Sequence, residues 1–164
     1  MTIADLIEIL DFNRSKTLAF IDGLAKVGDV PKALAWRPGP DRAHIAWQLM
    51  HIAATDDRHV HVRMASAPGG QPAAPELVRR FAGGSTPDDQ IPSVEAIKSY
   101  LDARRKDLIA CLRKLDDKAL MTKPNEQAPW TYAEWVKVLA WHEAHHQGQA
   151  HLTLNLYKAA HGIK

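Results

Sequence analysis

The sequence predicts an all-α fold, a four-helix bundle, and three observations carry that prediction. Apolar residues recur at three- and four-residue spacings in four separate segments. No segment of useful length alternates apolar and polar residues as a half-buried strand would, and no internal repeat is visible. With 164 residues the chain can bury one core without disulfides, so it is read as a single domain, 1–164.

The first helix covers residues 3–27, where Ile3, Leu6, Ile7, Leu10, Phe20, Ile21 and Leu24 share one face, with Thr2 as cap and Gly28 and Pro31 beyond its end. Residues 29–40 are rich in Pro and Gly and read as a connection, after which Asp41 caps a second helix running to about Met64. Residues 66–92 then form a long connection between the second and third helices, with two helical turns, Glu76 to Ala82, entered through Pro75. A connection of this length is either a crossover along the side of the bundle or a lid over a site. The third helix runs from Ser93 as cap to about Leu115. The fourth has the strongest start signal in the chain: Thr131-Tyr132-Ala133-Glu134 is a capping box, with Trp130 and Trp135 placed to staple across it. It extends from Tyr132 to about Ala160. Gly148 inside it costs about 1 kcal/mol relative to alanine, which predicts close approach of a neighbouring helix.

Charge excludes several function classes. A formal net charge of +2 is too small for a nucleic-acid footprint, and the densest basic run, Arg104-Arg105-Lys106, lies between Asp102 and Asp107 and reads as a solvated helix face. The opening residues place acids before the first base and charges within the apolar pattern, unlike a signal peptide or a membrane span, so a cytoplasmic location without membrane partners is expected. The single cysteine, Cys111, falls on the apolar face of the third helix and reads as core.

The nine histidines are the unusual feature. On the fourth helix the core-facing stripe is Trp135, Val138, Leu139, His142, His146, Gln149, Leu152 and Leu156, so two imidazoles one turn apart take positions where apolar residues are expected. At that spacing both can donate a nitrogen to one metal ion. On the second helix His51 lies on the stripe of Trp47, Met50, Ala54 and Arg58. Any one of the three alone reads as a core histidine bonded to a neighbour. Three buried imidazoles with no shared partner would be costly to desolvate, which makes His51, His142 and His146 the candidate ligands of a divalent ion with open coordination positions. His44, His59, His61, His145, His151 and His161 are expected mostly at surface or rim positions, with a neighbouring site as the lesser alternative for His59, two turns beyond His51.

His142-Glu143-Ala144-His145-His146 also satisfies H-E-x-x-H, the helical zinc motif of metalloproteases. The third ligands that those enzymes need are missing: Gln149 and Leu152 stand where one type has Gly and His, and no acidic residue follows Glu143. A metallopeptidase is therefore disfavoured. One residue of helix turns about 100°, so Glu143 points away from an ion held by His142 and His146 and is expected as a surface or supporting group.

Three segments, Trp36-Arg37-Pro38-Gly39-Pro40, Ile45-Ala46-Trp47-Gln48-Leu49-Met50-His51-Ile52-Ala53 and His142-Glu143-Ala144-His145-His146-Gln147-Gly148-Gln149, resemble the DinB-like family of metal-binding four-helix bundles. The resemblance implies a divalent metal, nickel or zinc, on His51, His142 and His146, and a homodimer. It fixes no substrate: the family includes thiol-dependent S-transferases and a mycothiol-dependent isomerase. The expected function is thus metal-dependent thiol S-transfer or isomerisation on a small electrophile, with a non-catalytic metal-binding stress or accessory protein as the alternative. Cys111 has no site face, so a low-molecular-weight thiol would come from outside as cosubstrate, and Arg58, one to two turns beyond His51, is the candidate to hold its carboxylate. Trp141 and Tyr157, outside the histidine stripe, are expected to carry a two-fold dimer contact.

Overall fold

The computed structural model describes residues 1–65 and 69–163, whose regular elements are all helical, with no strand among the described residues. Six α-helices follow one another: α1 (Ile3–Gly23), α2 (Val30–Ala35), α3 (Ile45–Arg58), α4 (Pro75–Arg80), α5 (Val94–Leu112) and α6 (Tyr132–His161). Among the described residues, no helix is long and apolar enough to cross a membrane.

Local chemistry sets most boundaries. Thr2 and Asp5 form a reciprocal capping box at α1, Ser93 caps α5, and Thr131 with Glu134 forms the box at α6. Trp130 packs edge-on against Trp135 at 4.5 Å, the staple expected there. Helix α6 ends at Gly162 in the left-handed region (φ 65°). The predicted first helix tightens into a 3-10 turn at Leu24–Val27. The predicted connection 29–40 contains α2, which Asp29 caps with Pro31 in its first turn and which is too short to show periodicity. The cap of α3 is His44, not Asp41: Asp41 takes φ 57°, while His44 Nδ1 accepts from the Trp47 N–H at 3.0 Å. The end of α3 widens into a π-helical turn, His59–Arg63.

The four long helices pack side by side, α3 against both α5 and α6, and α1 against α6 and, less, α5. Their core has two apolar halves. One gathers Phe20, Ile21, Leu49, Ile52, Phe81, Ile97 and Leu101; the other gathers Leu6, Leu10, Val60, Leu108, Leu112, Tyr132, Trp135 and Leu139. Between them lies a buried layer of four charges, one from each long helix: Arg14, Asp56, Arg105 and Glu143. Arg14 Nε donates to Glu143 at 2.7 Å, Arg105 Nη2 donates to the other Glu143 oxygen, and each guanidinium reaches Asp56 at 3.3 Å. The arginines also donate reciprocally across α1 and α5, Arg14 to the Leu101 carbonyl and Arg105 to that of Leu10. Arg105, read as part of a solvated face, is thus 4 % exposed.

The stripe on α6 holds in its first half and fails in its second. Leu152 and Leu156 are 60 % and 44 % exposed, while Ala150, Thr153 and Tyr157 are buried. The predicted stripe follows a seven-residue repeat, and a straight α-helix drifts about 20° per heptad against that repeat, so its last turns swing outward. Tyr157, expected on the surface, is 2 % exposed and packs against Trp36. Gly148 faces outward, and a methyl group there would meet nothing within 4 Å, so no neighbouring helix of this chain explains it.

Candidate metal centre

His51 comes from the middle of α3, and His142 and His146 from successive turns of α6. One nitrogen from each lies within 4.8 Å of the others. The His51 and His142 Nε2 atoms are 3.1 Å apart. Two nitrogens bound at 2.0–2.1 Å to one ion stand about 2.9–3.4 Å apart over angles of about 90–109°. The spacing fits a shared divalent ion.

The far side of each ring fixes which nitrogen faces inward. His51 Nδ1–H donates to the Phe81 carbonyl at 2.6 Å, and His146 Nδ1–H donates to Gln48 Oε1 at 2.6 Å. Nε2 is therefore the nitrogen left with a free lone pair on each ring, the arrangement that outer hydrogen bonds give to metal-ligating imidazoles. Trp47 stacks on His51 at 4.6 Å and 14° and restrains its plane. Burial, then repulsion from His51, His145 and the other histidines around them, pushes His142 and His146 down to about 3, and burial lowers His51. All three rings are neutral at neutral pH, as ligation requires.

The long connection serves this site. Phe81, just after α4, supplies the carbonyl that orients His51, and a methyl group added at Gly83 would lie 3.8 Å from His51 Cε1. Ser85 accepts from the Trp47 indole at 3.2 Å, and Asp57 anchors the segment by accepting from the N–H groups of Ala73 and Ala74. Residues 66–68 of that connection lie outside the described residues.

Glu143 of the H-E-x-x-H pattern points away from the triad, but into the charged layer and not to the surface: it is 0 % exposed and held by Arg14 and Arg105. Arg58 is exposed at the end of α3, with no ion pair among the described residues. His59 Nδ1–H donates to the Thr55 carbonyl at 2.7 Å, its ring packs on Trp135, and burial lowers it to about 4. His44, expected at the rim, is 0 % exposed; His145, His151 and His161 are exposed and His61 is half-buried. Cys111 is half-buried, and burial pushes its thiol up. Sequence reasoning missed three supporting groups: Gln48, the Phe81 carbonyl, and Thr55, whose Oγ1 lies 3.4 Å from His142 Nε2. Gln48 and Thr55 sit three before and four after His51, on one helix face, which is a legible signal.

A family model for the DinB superfamily matches residues 3–150, a span that includes all three histidines. No curated protein and no solved structure matches the chain.

Proposed function

The chain belongs to the DinB superfamily, and on that premise we propose that it binds one divalent metal ion through His51, His142 and His146 and acts with it on a small electrophile. The observation that carries this reading is the convergence of three neutral imidazoles within 4.8 Å, two of them held in the ligating tautomer by Phe81 and Gln48. Imidazole ligands suit nickel or zinc, and three of them leave positions open. An ion held there supplies a Lewis acid that lowers the pKa of a thiol or water. The chain's own groups hold the triad in place: Trp47 restrains His51, and residues Phe81 to Ser85 cover one side of it. We read the reaction as S-transfer or isomerisation with a low-molecular-weight thiol, whose carboxylate Arg58 would meet at the rim.

The accompanying architecture is one domain, 1–164, a four-helix bundle of α1, α3, α5 and α6 with residues 66–92 as the crossover, in a cytoplasmic homodimer. Trp141, Leu152 and Leu156 offer exposed apolar surface on α6 for the dimer contact. A non-catalytic metal-binding protein is the second reading. It is favoured by the two carboxylates nearest the triad in sequence, Asp56 and Glu143, both committed to arginines and neither free as a base.

Elemental analysis tests the metal: the protein should carry about one equivalent of a first-row ion, lost in His51→Ala, His142→Ala or His146→Ala and kept in His145→Ala. Equal loss from His145→Ala refutes the ligand set. Assay of glutathione, mycothiol and bacillithiol against chlorodinitrobenzene and maleylpyruvate separates the two readings. Turnover no greater than that of His51→Ala for every pair leaves the non-catalytic one.

A further inference from the structure

We infer that Thr55 is a positioning residue for the open side of the triad, its hydroxyl donating a hydrogen bond to an anionic ligand there, a thiolate or hydroxide; this rests on the metal reading above. Threonines inside helices ordinarily turn their hydroxyl back to the carbonyl four residues earlier. Two others in this chain do so: Thr17 Oγ1 donates to the Asn13 carbonyl at 3.3 Å and Thr153 Oγ1 to the Gln149 carbonyl at 2.9 Å. Thr55, also inside a helix, instead directs Oγ1 across to α6, where its contact is His142 Nε2 at 3.4 Å.

That distance is too long for a strong hydrogen bond, and it places the hydroxyl beside the nitrogen that also lies 3.1 Å from His51 Nε2. Once the His142 lone pair is committed to an ion, it can no longer accept from Thr55. The hydroxyl proton is then free for the next acceptor in the same space, a ligand bound beside His142. The backbone of Thr55 is held as well, because its carbonyl accepts from His59 Nδ1–H at 2.7 Å where the π-helical turn begins. π-turns of this kind are frequent at functional sites. Donation to the anionic form favours it over the protonated form, so Thr55 lowers the pKa of the bound thiol or water, whose proton leaves to solvent.

The test uses the full chain loaded with cobalt(II), whose visible spectrum reports the coordination sphere. Thr55→Val keeps the shape and removes the donor; Thr55→Ser keeps the donor. In Thr55→Val the pH midpoint of the cobalt spectrum should rise by about one unit, a tenfold change. Mercaptoethanol, followed at its thiolate-to-cobalt charge-transfer band, should bind about tenfold more weakly, with cobalt affinity within about twofold of wild type. Thr55→Ser should restore both. A Thr55→Val protein that holds cobalt and matches wild type in thiol affinity overturns the assignment. So does loss of cobalt from Thr55→Val, which would make Thr55 a packing residue. Cobalt binding that persists unchanged in His142→Ala overturns the metal reading itself, a different failure.

Discussion

Glu143→Gln should cost the protein much of its stability and nothing that depends on a catalytic base. Glu143 is 0 % exposed and takes hydrogen bonds from Arg14 and Arg105. An amide there keeps one acceptor oxygen but removes the charge and turns an N–H₂ donor toward a guanidinium. Two buried arginines are then left to share Asp56, 3.3 Å from each, with one uncompensated positive charge in the core. Removing one partner of a buried ion pair costs about 3–5 kcal/mol. At about 2–4 °C per kcal/mol for a chain of this size, Tm should fall by about 6–20 °C. Urea and thermal melts measure this. Glu143→Leu combined with Arg105→Met removes one charge of each sign and leaves the Arg14–Asp56 pair neutral, so it should be more stable than Glu143→Leu alone. A Glu143→Gln protein with wild-type Tm, or a double variant less stable than Glu143→Leu, refutes the reasoning. A base of the metalloprotease kind would show the reverse, unchanged stability with lost hydrolysis.

The remaining predictions concern histidine titration, Gly148 and assembly. His59 and His142 are lowered to about 4 and about 3 in the folded protein, below the unfolded value near 6.5, so between those limits the unfolded chain binds more protons. The stability of the chelator-treated protein is therefore complete above pH 6.5 and falls with acid, by at most about 1.4 kcal/mol per pH unit for each group. Melts at pH 7.5 and 5.5 should show the loss, smaller in His59→Gln; a flat profile contradicts it. Gly148→Ala should raise Tm, because the added methyl meets nothing within 4 Å and helix propensity gains up to about 1 kcal/mol. Differential scanning calorimetry decides it, and a lower Tm would reveal a close partner on that face. Light scattering should give twice 18.2 kDa, reduced to the chain mass by Trp141→Glu, since Trp141 is 63 % exposed on the outer side of α6; a wild-type monomer removes the dimer.

What the sequence made legible is what a few adjacent residues decide. The caps at Thr2 and Ser93 and the box at Thr131 each depend on a side chain three residues from its partner, and all three stand where expected. The histidine cluster was legible because His142 and His146 share a helix face and His51 interrupts an apolar one. The charged layer was not. Arg14, Asp56, Arg105 and Glu143 lie on four helices, each with an ordinary polar surrounding in sequence, and only packing reveals that they neutralise one another. Arg105 between charged neighbours looked solvated for that reason. The Phe81 carbonyl is a backbone group with no identity in sequence. The second half of α6 was misplaced because a heptad stripe and a straight helix diverge over 30 residues.

The charged layer also acts as an indexing mark for the helices that carry the histidines. Sliding one helix by a turn moves its groups about 5.4 Å along the axis. For α3 or α6 such a slip would carry Asp56 or Glu143 away from both arginines and into hydrocarbon on one side or the other. Apolar packing alone tolerates that displacement far better than an unpaired buried charge does. Glu143 directly follows His142, and Asp56 lies five residues after His51, so the layer that forbids slippage also holds the imidazoles at matching heights. Their alignment is therefore a property of the folded chain and not of the ion. Unlike a small zinc-folded module, which loses its shape with its metal, this scaffold would keep the triad in place with or without an ion.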